Sequence, residues 1–329
     1  MVKAAKGHLE LMAGAVPIEA ALQRDDLSAG ERDRLELTSR VKAFGEDELG
    51  LSPTRNYEKV NLDFDQVVWN VSGCAPDRFE SHVYRYPVVG ALPYIGFFDR
   101  ASADEEAGRL EELGWEVHVR PAGAYSTLGW FRDPLWRSML RWDVEGFANT
   151  VLHELAHATL WIPGEGKFNE SFATFVGDES SARFMEEIRE ERPEAYTTWQ
   201  DRTADSVRYR EFMHALYERL DALYRTGLGR EAVLTRKAKL IEDARTEYAA
   251  LPWRRESMRS RLDPGRTVNN ASLVQFRVYS TGLDVFDEAL QRFAGDLPAL
   301  LRAAQELPNM KKRAQGPWNP YDAMAKLSP

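Results

Sequence analysis

Two histidines and a glutamate with helical spacing lie near the middle of the chain, in the segment "VLHELAHATLWIPGEGKFNESFATF", residues 151–175. On an α-helix His153 and His157 lie about 40° apart around the axis, so both imidazoles can face one metal ion. Glu154 is turned about 100° from His153, where its carboxylate can reach a metal-bound water. These residue types at this spacing are typical of a zinc site that carries its own general base.

An ordinary helix with two surface histidines is the alternative interpretation, because a chance H-E-x-x-H occurs on the order of once per hundred chains of this length. The neighbouring residues are apolar or small: Val151, Leu152, Leu155, Ala156, Ala158 and Leu160. They predict a buried helix, in which histidines and a glutamate are costly unless they are paired or bound to a metal. The sequence therefore favours the metal site.

A catalytic zinc site takes three protein ligands and leaves one position for water. A third histidine in the arrangement H-E-x-x-H-x-x-G-x-x-H is absent, because Leu160 and Pro163 stand where that arrangement has its glycine and its last histidine. The third ligand must therefore come from the turn or from beyond it, where Glu165, Glu170 and Glu179 are the candidates.

The expected chain path favours Glu170. The motif helix is predicted over residues 145–162. It therefore continues for about five residues, or roughly 7.5 Å, beyond His157. The segment 163–168 is long enough to return that distance. Glu170 would then lie in the first turn of an antiparallel helix that begins near Asn169 and faces the histidines.

The pair "HELAH" and "NESFATF" resembles the gluzincin metallopeptidases, whose third-ligand helix often begins Asn-Glu-Gly-Phe-Ala. The chain is still more similar to the bacterial predicted aminopeptidases, a gluzincin-like family. Further shared segments extend over nearly its whole length: "GHLELM", "AYSTLGWFRDPLW" and "NNASL" followed by Tyr279. The resemblance implies a zinc-dependent peptidase with one Zn²⁺ per chain and with aminopeptidase as the family's assigned activity.

Two departures from the larger enzymes leave cleavage open between the amino terminus and internal bonds. Only twelve residues separate His157 from Glu170, fewer than in the large gluzincin aminopeptidases. The chain also lacks the Gly-x-Met-Glu-Asn segment with which those enzymes hold the amino terminus of a substrate.

The expected chemistry is metal-assisted hydrolysis of a peptide bond. His153, His157 and Glu170 would hold Zn²⁺, which lowers the pKa of its bound water toward about 7 and polarises the scissile carbonyl. Glu154 would accept the proton of that water and deliver it to the leaving amine.

Gluzincins usually add a tyrosine or histidine that donates to the oxyanion, and the resemblance implies Tyr279 for that role. An ordinary core or surface tyrosine is the alternative. His118, on a predicted strand, and His214, on a predicted long helix, are other conceivable donors, although a structural role is favoured for both.

Substrate contacts are expected on a predicted edge strand before the metal helix, because zincins commonly bind a peptide by adding it to such an edge. The residues of that strand are Tyr125, Ser126, Thr127, Leu128 and Gly129, for which a plain turn is the alternative. Asn169 is expected either to touch substrate or to cap its helix. Thr174 and Asp178 follow Glu170 by four and eight residues and are candidates to hydrogen-bond a ligand histidine.

The elements that position these residues predict a mainly helical α+β fold. It combines a zincin-like (gluzincin) core with a small sheet, the active-site helix pair and a long antiparallel helical hairpin. Leu234, Ile241 and Tyr248 recur every seven residues in the second helix of that hairpin. One integrated catalytic unit is expected from five segments: 1–52 (N-terminal helical segment), 53–142 (small α+β sheet), 143–200 (zinc-site helices), 201–262 (hairpin) and 263–329 (C-terminal helices and tail).

Composition limits the classes of function. The 329 residues carry a formal net charge of −9. That balance argues against a general nucleic-acid binder, because phosphate contacts need an excess of Lys and Arg. Cys74 is the only cysteine, which excludes a four-thiol zinc site and an intramolecular disulfide. No apolar run approaches the roughly 20 residues that span a bilayer, and the first residues lack the apolar core of a secretory signal.

Members of the resembled family are often exported as lipoproteins, which implies a bacterial cell-envelope or periplasmic location with a lipid anchor upstream of this sequence. A cytoplasmic location is the alternative. The expected partner is a peptide or a small peptide-like substrate, and the oligomeric state stays open. A zinc hydrolase of non-peptide amides and a catalytically silent zincin-fold scaffold remain as alternatives. The intact H-E-x-x-H disfavours the scaffold.

Overall fold

The computed structural model describes residues 14–63, 68–86, 90–121, 134–280, 282–314 and 316–329. Its strands are β1 (Val16–Pro17), β2 (Lys59–Asn61), β3 (Trp69–Cys74), β4 (Tyr84–Tyr86), β5 (Gly90–Leu92), β6 (Tyr94–Phe97), β7 (Glu116–Pro121) and β8 (Leu135–Trp136). Its helices are α1 (Ile18–Ala21), α2 (Ala29–Ala43), α3 (Arg100–Glu112), α4 (Val144–Thr159), α5 (Gly166–Glu187), α6 (Pro193–Tyr224), α7 (Arg230–Ala249), α8 (Glu256–Arg259), α9 (Asn270–Ser280), α10 (Leu283–Arg292), α11 (Leu297–Ala304), α12 (Leu307–Arg313) and α13 (Pro320–Met324). Long helices and short strands confirm the predicted mainly helical α+β class. None of the described helices has both the length and the apolar character needed to cross a bilayer.

The chain divides into two compact units. The first is formed by residues 1–68, 122–195 and 279–329, and the second by residues 69–121 and 196–278. Strands β1, β2 and β8 form a sheet in the first unit, whereas β6, β3 and β7 form a sheet in the second. The predicted metal motif lies in the first unit, on α4 and α5.

Helices α4 and α5 form an antiparallel pair at the centre of the first unit. Asn149 contacts Asp178 toward one end of the pair, and His157 contacts Glu170 toward the other. Side chains of α4 with no exposed surface include Phe147, Val151, Leu152, Leu155 and Ala156. The motif therefore lies on a buried helix, as its apolar surroundings predict.

Helix α4 is shorter than predicted and α5 begins earlier. The predicted helix over 145–162 ends at Thr159, after which the chain becomes extended (φ −140°, ψ 118°), and the next helix begins at Gly166. A side chain of α5 explains the early end. Asn169 accepts a hydrogen bond from the backbone N–H of Ile162 at 3.0 Å and donates one to its carbonyl at 2.9 Å. The two bonds satisfy the backbone N–H and C=O groups of Ile162. If α4 were longer, these groups would have to be satisfied within the helix.

A three-stranded antiparallel sheet and α3 form one part of the second unit. Val71, on the central strand, pairs with Ile95 on β6 and with Val119 on β7. α3 packs on this sheet, where Ala103 and Leu110 join Val71 in a common apolar cluster. The β-branched residues that predict the strands thus provide the surface on which the helix packs.

Helices α6 and α7 form the predicted hairpin of the second unit. The connection between them contains Gly227 with φ +72°, a left-handed conformation that favours glycine. Phe212 of α6 packs edge-on against Tyr248 of α7, with ring centroids 5.1 Å apart. Arg219 and Glu247 add an ion pair between the helices at 2.6 Å.

The buried face of α7 overlaps the row of apolar residues that recurs every seven positions, with Leu234 and Ile241 half-buried. Of Leu234, Ile241 and Tyr248, only Tyr248 is fully buried. The buried side chains of the helix are Val233, Lys237, Ala244 and Tyr248. Lys237 donates to both carboxylate oxygens of Glu116 at 2.6 Å. This ion pair accounts for a buried lysine, which apolar periodicity would place at the surface.

Candidate metal centre

His153, His157 and Glu170 bring their potential ligand atoms together in the first unit. All three atoms lie within 4.8 Å of one another. Oε2 of Glu170 is 3.9 Å from Nε2 of His153 and 3.7 Å from Nε2 of His157. These separations exceed a hydrogen bond, and they suit a small cation that takes bonds of about 2.0–2.2 Å to each ligand.

The antiparallel helix pair produces this cluster. The spacing of four on α4 brings the two imidazoles side by side, with ring centroids 4.8 Å apart. Glu170 is the fifth residue of α5, which runs back along α4 and so faces both rings. Of the three candidate glutamates, the structure therefore brings Glu170 to the histidines.

The other two glutamates have different partners. Glu165 pairs with Lys311 at 2.7 Å, and Glu179 lies 3.9 Å from Arg183 on its own helix. Neither belongs to the cluster of potential ligand atoms.

Burial and neighbouring charges set the protonation states of the two histidines. The side chain of His157 is 4% exposed, that of His153 18% and that of Glu170 21%. Burial and the adjacent His157 lower the pKa of His153 to about 3, so this ring is neutral near pH 7, the form that binds metals. Burial also opposes a charge on His157, but the carboxylates of Glu170 and Glu154 outweigh it and raise the pKa of His157.

Glu154 lies beside the ligand set without belonging to it. Its side chain is 7% exposed, and its charge is close enough to raise the pKa of His157. This placement agrees with the angular offset from His153 that helical geometry gives to the next residue. A buried carboxylate therefore lies within electrostatic reach of His157.

Gly177 lets α5 pass close beside His153. A Cβ on Gly177 would lie 3.1 Å from the Cβ of His153 and 3.3 Å from the carbonyl oxygen of Asn149. Asn149, one turn before His153, donates to Asp178 at 2.9 Å. Helix α5 thus supplies a potential ligand and also packs directly against a histidine of the other helix.

Two contacts fix the connection between α4 and α5. Asn169 is 1% exposed and its amide pairs with the backbone of Ile162. Its described contacts are therefore structural ones, within the connection. Lys311 donates to the carbonyl of Pro163 at 2.8 Å and to Glu165 at 2.7 Å. Together they set where α5 begins, and hence where Glu170 lies.

Several residues singled out from the sequence lie elsewhere or outside the described part. Tyr125, Ser126, Thr127, Leu128 and Gly129 lie outside the described residues. The backbone of Tyr279 is part of α9, and its side chain lies outside what the structure describes. His118 is on β7 and His214 is on α6, both in the second unit. Thr174 is a half-buried residue of α5.

Gly177 and Lys311 are two residues near the cluster that the sequence motifs do not point to. A glycine inside a long helix costs about 1 kcal/mol relative to alanine, so its presence in "ATFVGDESS" signals a packing reason. Lys311 stands in the basic run "MKKR" and carries no local signal, because its partners precede it by about 150 residues.

The donor set fits a divalent metal. Two imidazole nitrogens and one carboxylate oxygen, with a second carboxylate alongside, are the groups that zinc takes in catalytic sites. Nδ1 of His157 is buried and has no hydrogen-bond partner among the described residues. A metal at Nε2 would not satisfy this Nδ1 atom, so the fit to a metal depends on the three convergent ligand atoms.

Comparison with known proteins assigns the chain to a family. No curated protein and no solved structure matches it. A family model described as "Putative aminopeptidase" matches residues 1–317. That range contains the whole cluster of potential ligands and nearly all of the chain. The chain therefore belongs to the family that this model defines, Aminopep.

Proposed function

We propose that this chain is a zinc-dependent aminopeptidase with a zincin-like core of the gluzincin type. The family description supports peptidase activity. The convergence of His153, His157 and Glu170 within 4.8 Å is the observation that carries the metal proposal. One Zn²⁺ would bind per chain.

Each residue of the cluster would contribute one ligand atom to the metal. His153, neutral near pH 7, presents one imidazole. His157 presents a second, and Glu170 supplies a negative charge that offsets part of the charge of a dication. Bound zinc supplies an acidified water and a Lewis acid for the scissile carbonyl.

Glu154 would act as the proton carrier. It borders the ligand set, and its burial shields it from bulk water. In this role its carboxylate accepts a proton from the attacking water and gives it to the departing amine. Positioned general acid–base groups of this kind contribute typically about 10²–10⁴-fold to a rate.

The substrate would be a peptide with a free amino terminus. The family description supports this substrate class. The segment Tyr125–Gly129 would provide the edge to which the peptide adds, and Tyr279 would donate to the oxyanion. Both assignments rest on the resemblance of "AYSTLGWFRDPLW" and "NNASL" to the family.

The test is hydrolysis by chelator-treated full-length protein before and after addition of one equivalent of Zn²⁺. Aminoacyl-4-nitroanilides report cleavage at an amino terminus, and internally quenched peptides report internal cleavage. The Glu154→Gln protein, purified in the same way, controls for contaminating peptidases. We expect zinc to restore hydrolysis of the nitroanilides in the wild type alone. Cleavage of the quenched peptides alone would contradict the amino-terminal assignment, and inactivity on both would contradict peptidase activity.

A further inference from the structure

A cavity of about 470 Å³ lies within the second unit. One wall comes from α6, and the other comes from α8 with the residues that precede and follow it. Its polar lining consists of Arg202, Ser206, Arg255, Ser257, Arg261 and Arg266. Among the described residues, no Asp or Glu lines this cavity.

Four arginines around one concave surface contrast with the charge of the chain as a whole. Asp and Glu together number 52, against 43 for Lys and Arg. Nearby arginines outside the cavity are paired: Arg259 lies 3.5 Å from Glu256, and Arg254 lies 3.0 Å from Asp201. Arg261 and Arg266 contribute guanidinium groups to this surface without a carboxylate of their own among the described residues, and an anion placed between such groups removes their mutual repulsion.

The buried Asp205 fixes the wall that carries Arg255. Its side chain is fully buried, and its carboxylate accepts hydrogen bonds from the backbone N–H groups of Arg254 at 2.9 Å and Arg255 at 3.0 Å. Nε of Arg255 is 3.7 Å from the same carboxylate, beyond hydrogen-bond distance. The hydrogen bonds of Asp205 therefore go to the backbone, and its carboxylate neutralises the Arg255 guanidinium only in part.

Arg261 and Arg266 have no carboxylate within ion-pair distance in the described part of the chain. The Arg261 guanidinium lies over the ring of Tyr209, with Cζ 4.7 Å from its centroid. A second contact, at 3.6 Å, is with Sδ of Met258, a weak acceptor. Stacking on an aromatic ring orients the guanidinium plane and leaves most of its N–H edge for a ligand.

We propose that this cavity binds the phosphoryl group of a small ligand. Guanidinium forks match the oxygens of phosphate, and the two serine hydroxyls add neutral donors. A single carboxylate needs one arginine, whereas a multivalent oxyanion uses several. The volume falls within the roughly 300–1,000 Å³ of small-molecule sites. A nucleic acid would instead need an extended basic surface, which the net charge of −9 disfavours.

The test is calorimetric titration of the full-length protein with pyrophosphate at low ionic strength, in three proteins. These are the wild type, the double variant Arg261→Gln/Arg266→Gln and the control Arg259→Gln. All three substituted residues are exposed, but Arg261→Gln also removes the contacts with Tyr209 and Met258, so thermal unfolding of each variant checks that the unit stays folded. The control removes one arginine charge two residues away from Arg261 but outside the lining. Chelation of a metal elsewhere would be the same in all three proteins and cannot cause a difference between them.

We expect saturable binding of one pyrophosphate per chain that the double variant weakens on the order of tenfold or more, because two charge-assisted contacts are lost. The control should stay within about twofold of the wild type. Inorganic phosphate and glycerol 3-phosphate, titrated in parallel, distinguish a free ion from a phosphorylated small molecule. Absence of saturable binding, equal weakening in the control, or binding of citrate as tightly as pyrophosphate would each overturn the proposal.

Discussion

A Cβ on Gly177 would lie 3.1 Å from the Cβ of His153, nearer than ordinary van der Waals contact. The carbonyl oxygen of Asn149 would be 3.3 Å away, and it belongs to the backbone of α4. Neither neighbouring atom is the free end of a flexible side chain. A side chain at residue 177 could therefore be accommodated only if one of the two helices shifted. The distance between α5 and His153 of α4 thus depends on the absence of a side chain at residue 177.

The substitution Gly177→Ala should weaken zinc binding by about tenfold or more, because α5 carries Glu170 and would move away from the histidines. Overpacking costs typically about 1–3 kcal/mol, whereas alanine gains about 1 kcal/mol in helix propensity. The free energy of unfolding should therefore change less than the metal affinity does. Chelator competition measures the affinity, and urea denaturation measures the stability.

Gly166→Ala is the matched control for this substitution. Gly166 is on the same helix, and a Cβ there meets nothing within 4 Å. Its zinc affinity should equal that of the wild type. An unchanged affinity in Gly177→Ala would show that the close approach has no role in placing the ligands.

Glu154→Gln should separate metal binding from catalysis. Glutamine keeps the size of the side chain but cannot accept the proton of a metal-bound water. Zinc content should stay at one per chain, while kcat falls by about 10²–10⁴-fold and KM changes little. Loss of zinc in this variant would instead identify Glu154 as a ligand or as a structural residue.

Lys311→Ala should loosen the connection between α4 and α5. The ammonium bonds to Pro163 and Glu165 are lost, and because the pair is partly exposed the cost should be about 1 kcal/mol. Limited proteolysis should then cut residues 160–165 faster. Lys312→Ala removes an exposed neighbouring charge and should leave the cleavage rate unchanged. Equal cleavage in both variants would contradict the assigned contact.

His118 should make the stability of the second unit depend on pH. Burial, assisted by the positive charge of Arg120, lowers the pKa of His118 to about 4, below the ordinary value near 6.5. The unfolded chain therefore takes up the proton first as the pH falls. The stabilising contribution is fully present above pH about 6.5 and is lost toward pH 4, on the order of 3 kcal/mol in total.

Urea denaturation at pH 7 and pH 5 tests this linkage. His118→Gln should lose less stability between the two values than the wild type does. His214→Gln, which replaces an exposed histidine of α6, should behave like the wild type. If His118→Gln loses as much stability between pH 7 and pH 5 as the wild type, His118 is not the source of the pH dependence.

The candidate site could be predicted largely because it depends on local geometry. Helical periodicity alone places His153, Glu154 and His157, and the length of a short connection limits where the third ligand can be. Glu170 was favoured on that basis, and the structure brings it to the histidines. The approach distance set by Gly177 could not be derived, since it depends on how two helices cross.

The errors in the predicted elements have a common cause in contacts between distant residues. The end of α4 depends on the pairing of Asn169 with Ile162, which a helix-period pattern does not contain. The burial of Lys237 on α7 depends on its ion pair with Glu116, 121 residues earlier. Apolar periodicity assigns a lysine to the surface unless its partner is known.

The metal content of three purified proteins tests the central claim most directly: the wild type, Glu170→Ala and Glu179→Ala. Both substitutions remove a glutamate from α5, but only Glu170 is part of the cluster. After reconstitution and dialysis against a weak chelator, the wild type and Glu179→Ala should each retain one zinc per chain, and Glu170→Ala should retain almost none. A wild type without zinc, or a Glu170→Ala protein that keeps it, would contradict the proposed metal centre.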